Sequence, residues 1–229
     1  MAKMPQTSSS TAMLIETGRR VCRLCDREGN GTQKYASIIV KTQNDLEKVM
    51  ESVHSKTFER IADYDALVHA ESQLDEEVRS VFYTCRKHDL NVECDPVLEK
   101  VFLGSVFFPI IYAPRERKRD LVTRMIARLG SIAPDGDLPA ETTTELETAL
   151  GKMIEAQEKL EKSIMEESRS KALELLGKKE YVEQYNFLYY NACSDLGRRK
   201  ANRLFPTLQE KRKTVPEEAG TEEIMSKAA

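Results

Sequence analysis

The segment "TTTELETALGKMIEAQEKLEKSIMEESRSKALELLGKK", residues 142–179, decides the fold class. Its apolar residues recur at alternating spacings of four and three, which is the period of an α-helix. Thr142 and Glu145 have capping-box spacing, and Gly177 is a typical helix-ending residue. We therefore predict a long amphipathic helix over residues 141–177. Its regular seam is apolar at five of six positions: Leu146, Leu150, Met153, Gln157, Leu160 and Ile164.

The seam has two interpretations that the sequence leaves open. It suits a coiled coil, through which copies of the chain would self-associate, and equally the core face of a helix bundle. The rhythm lapses at Glu167 and Lys171, and three heptads are marginal for an independent coiled coil.

Composition favours helices throughout the chain. The 229 residues include 32% charged residues, ten glycines and eight prolines, which is typical of long charged helices and less so of a turn-rich sheet protein. We predict a mainly α fold of one or more helical bundles. The predicted fold also allows a small zinc-stabilised N-terminal module with at most one or two short strands. The best strand candidate is "YASIIVKT", residues 35–42.

Shifts in composition predict five parts in the chain. The ends are polar and poor in apolar surface, and a Pro-, Gly- and Asp-rich stretch separates the two helical regions. The predicted parts are a disordered tail over 1–17, an N-terminal helical domain over 18–130, a linker over 131–140, a C-terminal helical region over 141–213 with helices 141–177 and 180–205, and a disordered acidic tail over 214–229.

The first twenty residues lack the apolar stretch of a secretory signal. The most apolar segment, residues 101–113, contains a proline and is too short to span a membrane, so we expect no transmembrane segment. Five cysteines without a signal peptide predict a reducing compartment. We expect an intracellular protein, in the cytoplasm or nucleus of a cell or inside a virion.

The segment "PRERKRDLVTRMIARLG" predicts a basic helix over residues 114–129, with Pro114 in the first turn and Gly130 closing it. One face is apolar, so the opposite face carries the charge. Arg117, Arg124 and Arg128 fall within about 40° of each other on a helical wheel. The predicted acidic-partner-binding residues of this helix are Arg115, Arg117, Lys118, Arg119, Arg124 and Arg128.

Cations in the first turn of a helix oppose its dipole, at a cost of roughly 0.3–1 kcal/mol each. Their placement therefore indicates a partner, either the phosphates of RNA or an anionic membrane surface. An ordinary solvated helix face is the other interpretation. The sequence indicates no small-molecule substrate.

A second basic cluster follows the tyrosine-rich segment "YVEQYNFLYYNACSDL". Aromatic rings among cations could stack on bases, but most of these rings share one helical face and are better explained as core. Phe187 and Tyr190 alone point elsewhere. The cations assigned to an acidic partner here are Arg198, Arg199, Lys200 and Arg203.

Two ligand pairs could complete a structural zinc site of the Cys3His type, which needs four converging N and S ligands. Cys22 and Cys25 form a Cys-x-x-Cys pair, and Cys85 and His88 form a Cys-x-x-His pair. Free thiols and a redox dithiol at Cys22 and Cys25 are the alternatives. No hydrolase, nucleotide-binding or metalloprotease motif is present in the sequence, so we expect a non-enzymatic protein.

The order of segments "FLGSVFFPIIYAP", "RERKRDLVTRMIARLG", "SIAPDGD" and "QYNFLYYNACSDLG" resembles the N-terminal half of the influenza-type (orthomyxovirus) matrix proteins, over about residues 96–197. The resemblance implies that Arg115, Arg117, Lys118, Arg119 and Arg124 contact ribonucleoprotein, RNA or anionic lipid under a virion envelope. The chain departs from the family in its long N-terminal region, in its Cys22 to His88 pairs and in lacking the C-terminal part.

We expect a structural or assembly protein that binds an acidic partner through its basic helix and self-associates through amphipathic helices. The alternative is a zinc-stabilised adaptor or nucleic-acid-binding regulator that uses Cys22, Cys25, Cys85 and His88.

Overall fold

A computed structural model describes residues 4–29, 31–91, 96–132 and 140–206. Every regular element within these ranges is an α-helix, which confirms the predicted mainly α fold. The helices are α1 (Thr11–Glu28), α2 (Gln33–Asn91), α3 (Val97–Val101), α4 (Phe108–Ile111), α5 (Arg115–Ile132), α6 (Ala140–Leu196) and α7 (Arg198–Leu204).

The strand predicted over residues 35–42 is wrong, because this segment forms the first turns of α2. Tyr35 and Ile39 are buried one helical turn apart, whereas Ile38 and Val40 are exposed. The β-branched run therefore buries every fourth residue, the spacing of a helix face, and local β propensity yields to packing.

Helix α6 is continuous where two helices were predicted, over 141–177 and 180–205. Gly177 does not end a helix: a Cβ built there would lie 3.4 Å from Leu46 Cδ1, so the glycine sits at a close approach to α2. The break comes at Gly197, whose φ of 83° is in the left-handed region that favours glycine. Gly130 likewise lies inside α5.

The chain forms two compact units, and the first is discontinuous in sequence. Unit 1 joins residues 1–50 to residues 173–229. Its core includes a group of aromatic rings, in which the Phe205 ring meets the Tyr35 and Tyr185 rings edge-on at centroid distances of 6.1 and 5.4 Å. Two side chains fasten the unit further, as the Tyr35 hydroxyl donates to Asp195 Oδ2 at 2.7 Å and the Tyr185 hydroxyl donates to the Pro206 carbonyl at 2.9 Å.

Unit 2 comprises residues 51–172 and is continuous in sequence. Its core holds most of the predicted seam of α6, including Leu146, Leu150, Met153 and Leu160. The seam is thus the core face of a bundle within one chain, and only Ile164 at its end is exposed. Because these side chains are already covered, the seam is not available for a coiled coil between copies.

The N-terminal end differs from the predicted domain boundary. Residues 11–17, assigned to a disordered tail, belong to α1, whose N-cap Ser10 accepts a hydrogen bond from the Met13 amide at 3.3 Å. Most of the predicted linker, residues 133–139, lies outside the described residues, as does the predicted acidic tail 214–229.

Candidate functional site

The apolar face predicted for the basic helix is confirmed in α5. Val122, Met125 and Leu129 are buried in the core of unit 2, and Leu121 and Ile126 pack against it half-buried. The helical period determines which residues lie on this face. The other side chains of α5 either contact neighbouring segments of unit 2 or face solvent.

Lys118 is the first correction to the predicted binding residues. Its side chain is only 2% exposed, and Nζ lies 3.1 Å from Glu71 Oε1 and 2.8 Å from Asp75 Oδ1, both on α2. A buried ammonium needs such partners because its desolvation is costly. Lys118 is therefore a structural residue inside unit 2 and cannot reach an external acid.

Two more cations of α5 are engaged within unit 2. Arg115 is half-buried, donates from Nε to Glu71 Oε2 at 3.0 Å and lies over the Tyr64 ring at 5.9 Å. Arg128 donates from Nη1 to the carbonyl of Val101 at 3.1 Å. Both side chains fasten α5 to neighbouring segments, so the predicted stripe that included Arg128 is shorter than expected.

Glu71 is the centre of this internal network. Burial raises the pKa of its carboxyl, but hydrogen bonds from Arg115 and Lys118 outweigh that effect and hold the pKa below its ordinary value. Glu71 therefore stays ionised at neutral pH and neutralises part of the basic helix from inside.

Three cations of α5 remain exposed, and their side chains form no ion pair or hydrogen bond with any described residue: Arg117, Arg119 and Arg124. Arg117 and Arg124 lie about 20° apart around the axis and about 10 Å apart along it. Arg119 lies about 140–160° away from them around the axis. We call these three residues the α5 cation set.

The sequence pattern did not reveal the internal partners, although a signal was present. Glu71 and Asp75 are spaced four residues apart on α2, between the buried positions Ala70, Leu74 and Val78. Acidic residues at the edge of an apolar face often meet a cation of a packed neighbour. Which cation they meet depends on tertiary packing and is not encoded in local spacing.

The second basic cluster lies in unit 1 on α7. All four predicted cations, Arg198, Arg199, Lys200 and Arg203, are exposed and form no ion pair with a described residue. The rings that precede them divide as predicted: Tyr181 and Tyr185 are buried in the core, whereas Phe187 and Tyr190 are exposed. This cluster, the α7 cation set, keeps all of its predicted members accessible.

The predicted Cys3His zinc site is not formed: no three His, Cys, Asp or Glu residues in the described ranges are grouped so that they could hold a metal ion. Cys25 is buried in the core of unit 1, and the Cys22 thiol points to the Ala36 carbonyl at 3.8 Å. Cys85 is buried in the core of unit 2, and His88 Nδ1 lies 3.6 Å from Asp89 Oδ1.

Burial keeps these thiols in the protonated form at neutral pH. Burial raises the pKa of Cys25 to about 11, and Cys22 and Asp26 add to that shift. Burial, reinforced by Asp89, raises the pKa of Cys85 to about 11 as well.

Among the described residues, no helix combines the length and apolar character that crossing a membrane requires. Comparisons of the chain with models of known protein families, with curated protein sequences and with solved structures give no match. The candidate site is therefore defined by its own geometry, which consists of two exposed cation sets on two compact units.

Proposed function

We propose that this chain is a non-enzymatic structural or assembly protein that binds an acidic partner, RNA, ribonucleoprotein or an anionic membrane surface, through the α5 cation set. The observation that supports the proposal is the division of the α5 cations. Unit 2 uses Lys118, Arg115 and Arg128 for internal contacts but leaves Arg117, Arg119 and Arg124 without a described partner.

The position of the set strengthens the argument. Arg117 lies in the first turn of α5, where Glu116 is the only acidic residue. A cation there is unfavourable for the helix itself, so stability does not explain its presence. An external anion bound to Arg117 would offset the unfavourable interaction of this cation with the helix dipole. The role is like that of the influenza-type matrix proteins that the segment order resembles.

The α7 cation set supports a second contact of the same kind. Its four cations follow α6 within seven residues and are exposed together. Two separate cation sets on two units would let one chain engage an extended polyanion or a surface at two places, which raises affinity through effective concentration.

Self-association is also part of the proposal, but the surface differs from the predicted one. Since the seam of α6 is covered inside unit 2, copies would meet through the exposed apolar residues Ile164 and Met165. Changing Met165 to Glu should shift the full chain toward monomer in sedimentation equilibrium, whereas Lys152→Glu, at an exposed position of α6 more than three turns away, should not.

The test of partner binding replaces the α5 cation set together, as Arg117→Ser/Arg119→Ser/Arg124→Ser. The matched control is Lys152→Ser/Lys159→Ser/Lys162→Ser, which removes from α6 in the same unit three exposed cations that form no ion pair with a described residue. Binding to single-stranded RNA and to phosphatidylserine vesicles is measured against salt concentration. We expect the α5 variant to reduce the slope of log K against log salt by about 2, and the control to leave it nearly unchanged. Equal effects of the two variants would contradict the proposal.

A further inference from the structure

The segment that precedes the basic helix exposes large apolar side chains. Leu103 is 70% exposed and Tyr112 is 77% exposed, and Val106 and Phe108 are more than 40% exposed. Tyr83 of α2 is exposed beside them and lies against the Phe107 ring at 6.5 Å. Single exposed apolar residues are common, but several on one short segment mark an interaction surface. We call Tyr83, Leu103, Val106, Phe108 and Tyr112 the apolar patch.

The rings of the apolar patch are held rigidly from the core. The buried Phe82 meets Phe107 at a centroid distance of 4.9 Å, Phe107 stacks on Phe108 at 4.4 Å, and Phe108 stacks on Tyr112 at 6.0 Å with the planes 5° apart. The exposed rings are therefore positioned by a continuous stack, and they lose little freedom when they meet a partner.

The backbone of this segment also contains two residues in an unfavourable conformation. Gly104 and Ser105 both have positive φ, 77° and 56°. Two successive left-handed residues, one of them with a side chain, are uncommon. They form the tight turn that separates Leu103 from Val106 and leaves both exposed. Local strain combined with an exposed apolar surface indicates a binding element.

We propose that the apolar patch and the first turns of α5 together attach the protein to the surface of an anionic lipid bilayer. Aromatic and aliphatic side chains would enter the region between headgroups and acyl chains, and Arg117 and Arg119 would meet the headgroup phosphates and carboxylates. Tyr112 suits this depth because its ring is apolar and its hydroxyl is polar. The proposal rests on the proposed function, since Arg117 and Arg119 are the same cations.

The composition of the patch favours lipid over nucleic acid. Base stacking needs flat rings, and Leu103 and Val106 have none. Transfer of either side chain from water into an acyl environment lowers its free energy. The absence of a membrane-crossing helix from the described residues is compatible with attachment in the plane of the interface.

The experiment uses the full chain with phosphatidylcholine vesicles that contain or lack phosphatidylserine, in a flotation assay. The test variant is Phe108→Ser/Tyr112→Ser. Phe187→Ser/Tyr190→Ser is the matched control, because it removes the same two side chains from exposed positions of α6 in unit 1. We expect the native protein to float with the anionic vesicles, the test variant to bind them about tenfold or more weakly, and the control to bind normally.

A reporter variant gives a second measurement that does not depend on a loss of binding. The chain has no tryptophan, so Phe108→Trp carries a single indole in the patch and Phe187→Trp carries one outside it. Anionic vesicles should shift the emission of the Phe108→Trp protein to shorter wavelength, and brominated lipids should quench it, while the Phe187→Trp protein changes little.

The outcomes separate the two proposals. If the native protein binds RNA through the α5 cation set but the emission of the Phe108→Trp protein does not change when vesicles are added, the lipid proposal is wrong and the proposed function stands. If neither RNA nor anionic vesicles are bound, both are wrong. If the Phe108→Ser/Tyr112→Ser variant instead turns an oligomer into a monomer with unchanged vesicle binding, the patch joins copies of the chain, and this too overturns the lipid proposal.

Discussion

Lys118 Nζ lies 2.8 Å from Asp75 Oδ1, and the lysine side chain is 2% exposed. The contact joins the basic helix to α2 within the core of unit 2. It explains why a cation at the first turn of α5 does not belong to the binding surface, since the ammonium is buried and paired with Asp75 and Glu71.

Changing Asp75 to Asn should destabilise the protein by about 1–3 kcal/mol, because Lys118 would keep only one carboxylate in a desolvated position. Urea unfolding followed by circular dichroism measures the change. The control is Asp45→Asn, which breaks an exposed pair with Lys48 at 3.7 Å and should cost less than about 0.5 kcal/mol. The same cost for both variants would show that the Lys118 network is not stabilising.

The free energy of unfolding should depend on pH through the ionisation of Glu71. Its pKa is lower in the folded protein than its ordinary value of 4.5, so the unfolded chain binds the proton more readily. The stabilisation is present above about pH 4.5 and is lost as pH falls through the lower folded-state pKa. Glu71→Gln should therefore be less stable than the native protein at pH 7, and the difference should shrink toward pH 3. A difference that is independent of pH, or an equal effect of the exposed control Glu76→Gln, would refute this.

Two glycines should respond to alanine in opposite ways. A Cβ at Gly18 would lie 2.6 Å from the Tyr181 hydroxyl and 2.8 Å from Gln43 Oε1, so Gly18→Ala should destabilise by about 1–3 kcal/mol. A Cβ at Gly151 meets nothing within 4 Å, and Gly151→Ala should stabilise α6 by up to about 1 kcal/mol. Thermal unfolding of both variants measures these changes in stability. If Gly18→Ala instead stabilises the protein, α1 does not pack against Tyr181 and Gln43 as described.

The cysteines should behave as buried thiols. Because the pKa values of Cys25 and Cys85 are raised to about 11, both should resist iodoacetamide at pH 8 in the folded protein and react after unfolding in urea. Peptide mapping by mass spectrometry measures each site. A chelator should leave the unfolding midpoint unchanged. Rapid labelling of the folded protein, or a lower midpoint with chelator, would restore the case for a metal or a reactive dithiol.

The sequence predicted those features of the fold that depend on local period. The helical character of residues 142–179 and the buried face of α5 follow from spacing, because each helix face is set by neighbours three and four positions apart. The exposure of Phe187 and Tyr190 followed in the same way.

Features that depend on distant partners were not predictable. Gly177 and Gly197 look alike as ending signals, yet only Gly197 has a positive φ, because Gly177 is held beside Leu46. Lys118 and Arg117 are adjacent cations, and their different fates depend on Glu71 and Asp75, more than 40 residues away in sequence. The Cys-x-x-Cys spacing fits a metal site equally well as it fits two thiols on a buried helix face.

The discontinuity of unit 1 has a consequence during synthesis. Leu14, Ile15 and Tyr35 share their core with Tyr185 and Phe205, so this core stays incomplete until the end of α7 has been made. Unit 2 uses only residues 51–172 and can fold before that. At typical rates of translation the part of this core that α6 and α7 complete stays open for about 8 to 30 s. In that interval a nascent chain presents a surface to chaperones, or to a neighbouring chain, that the finished protein never shows.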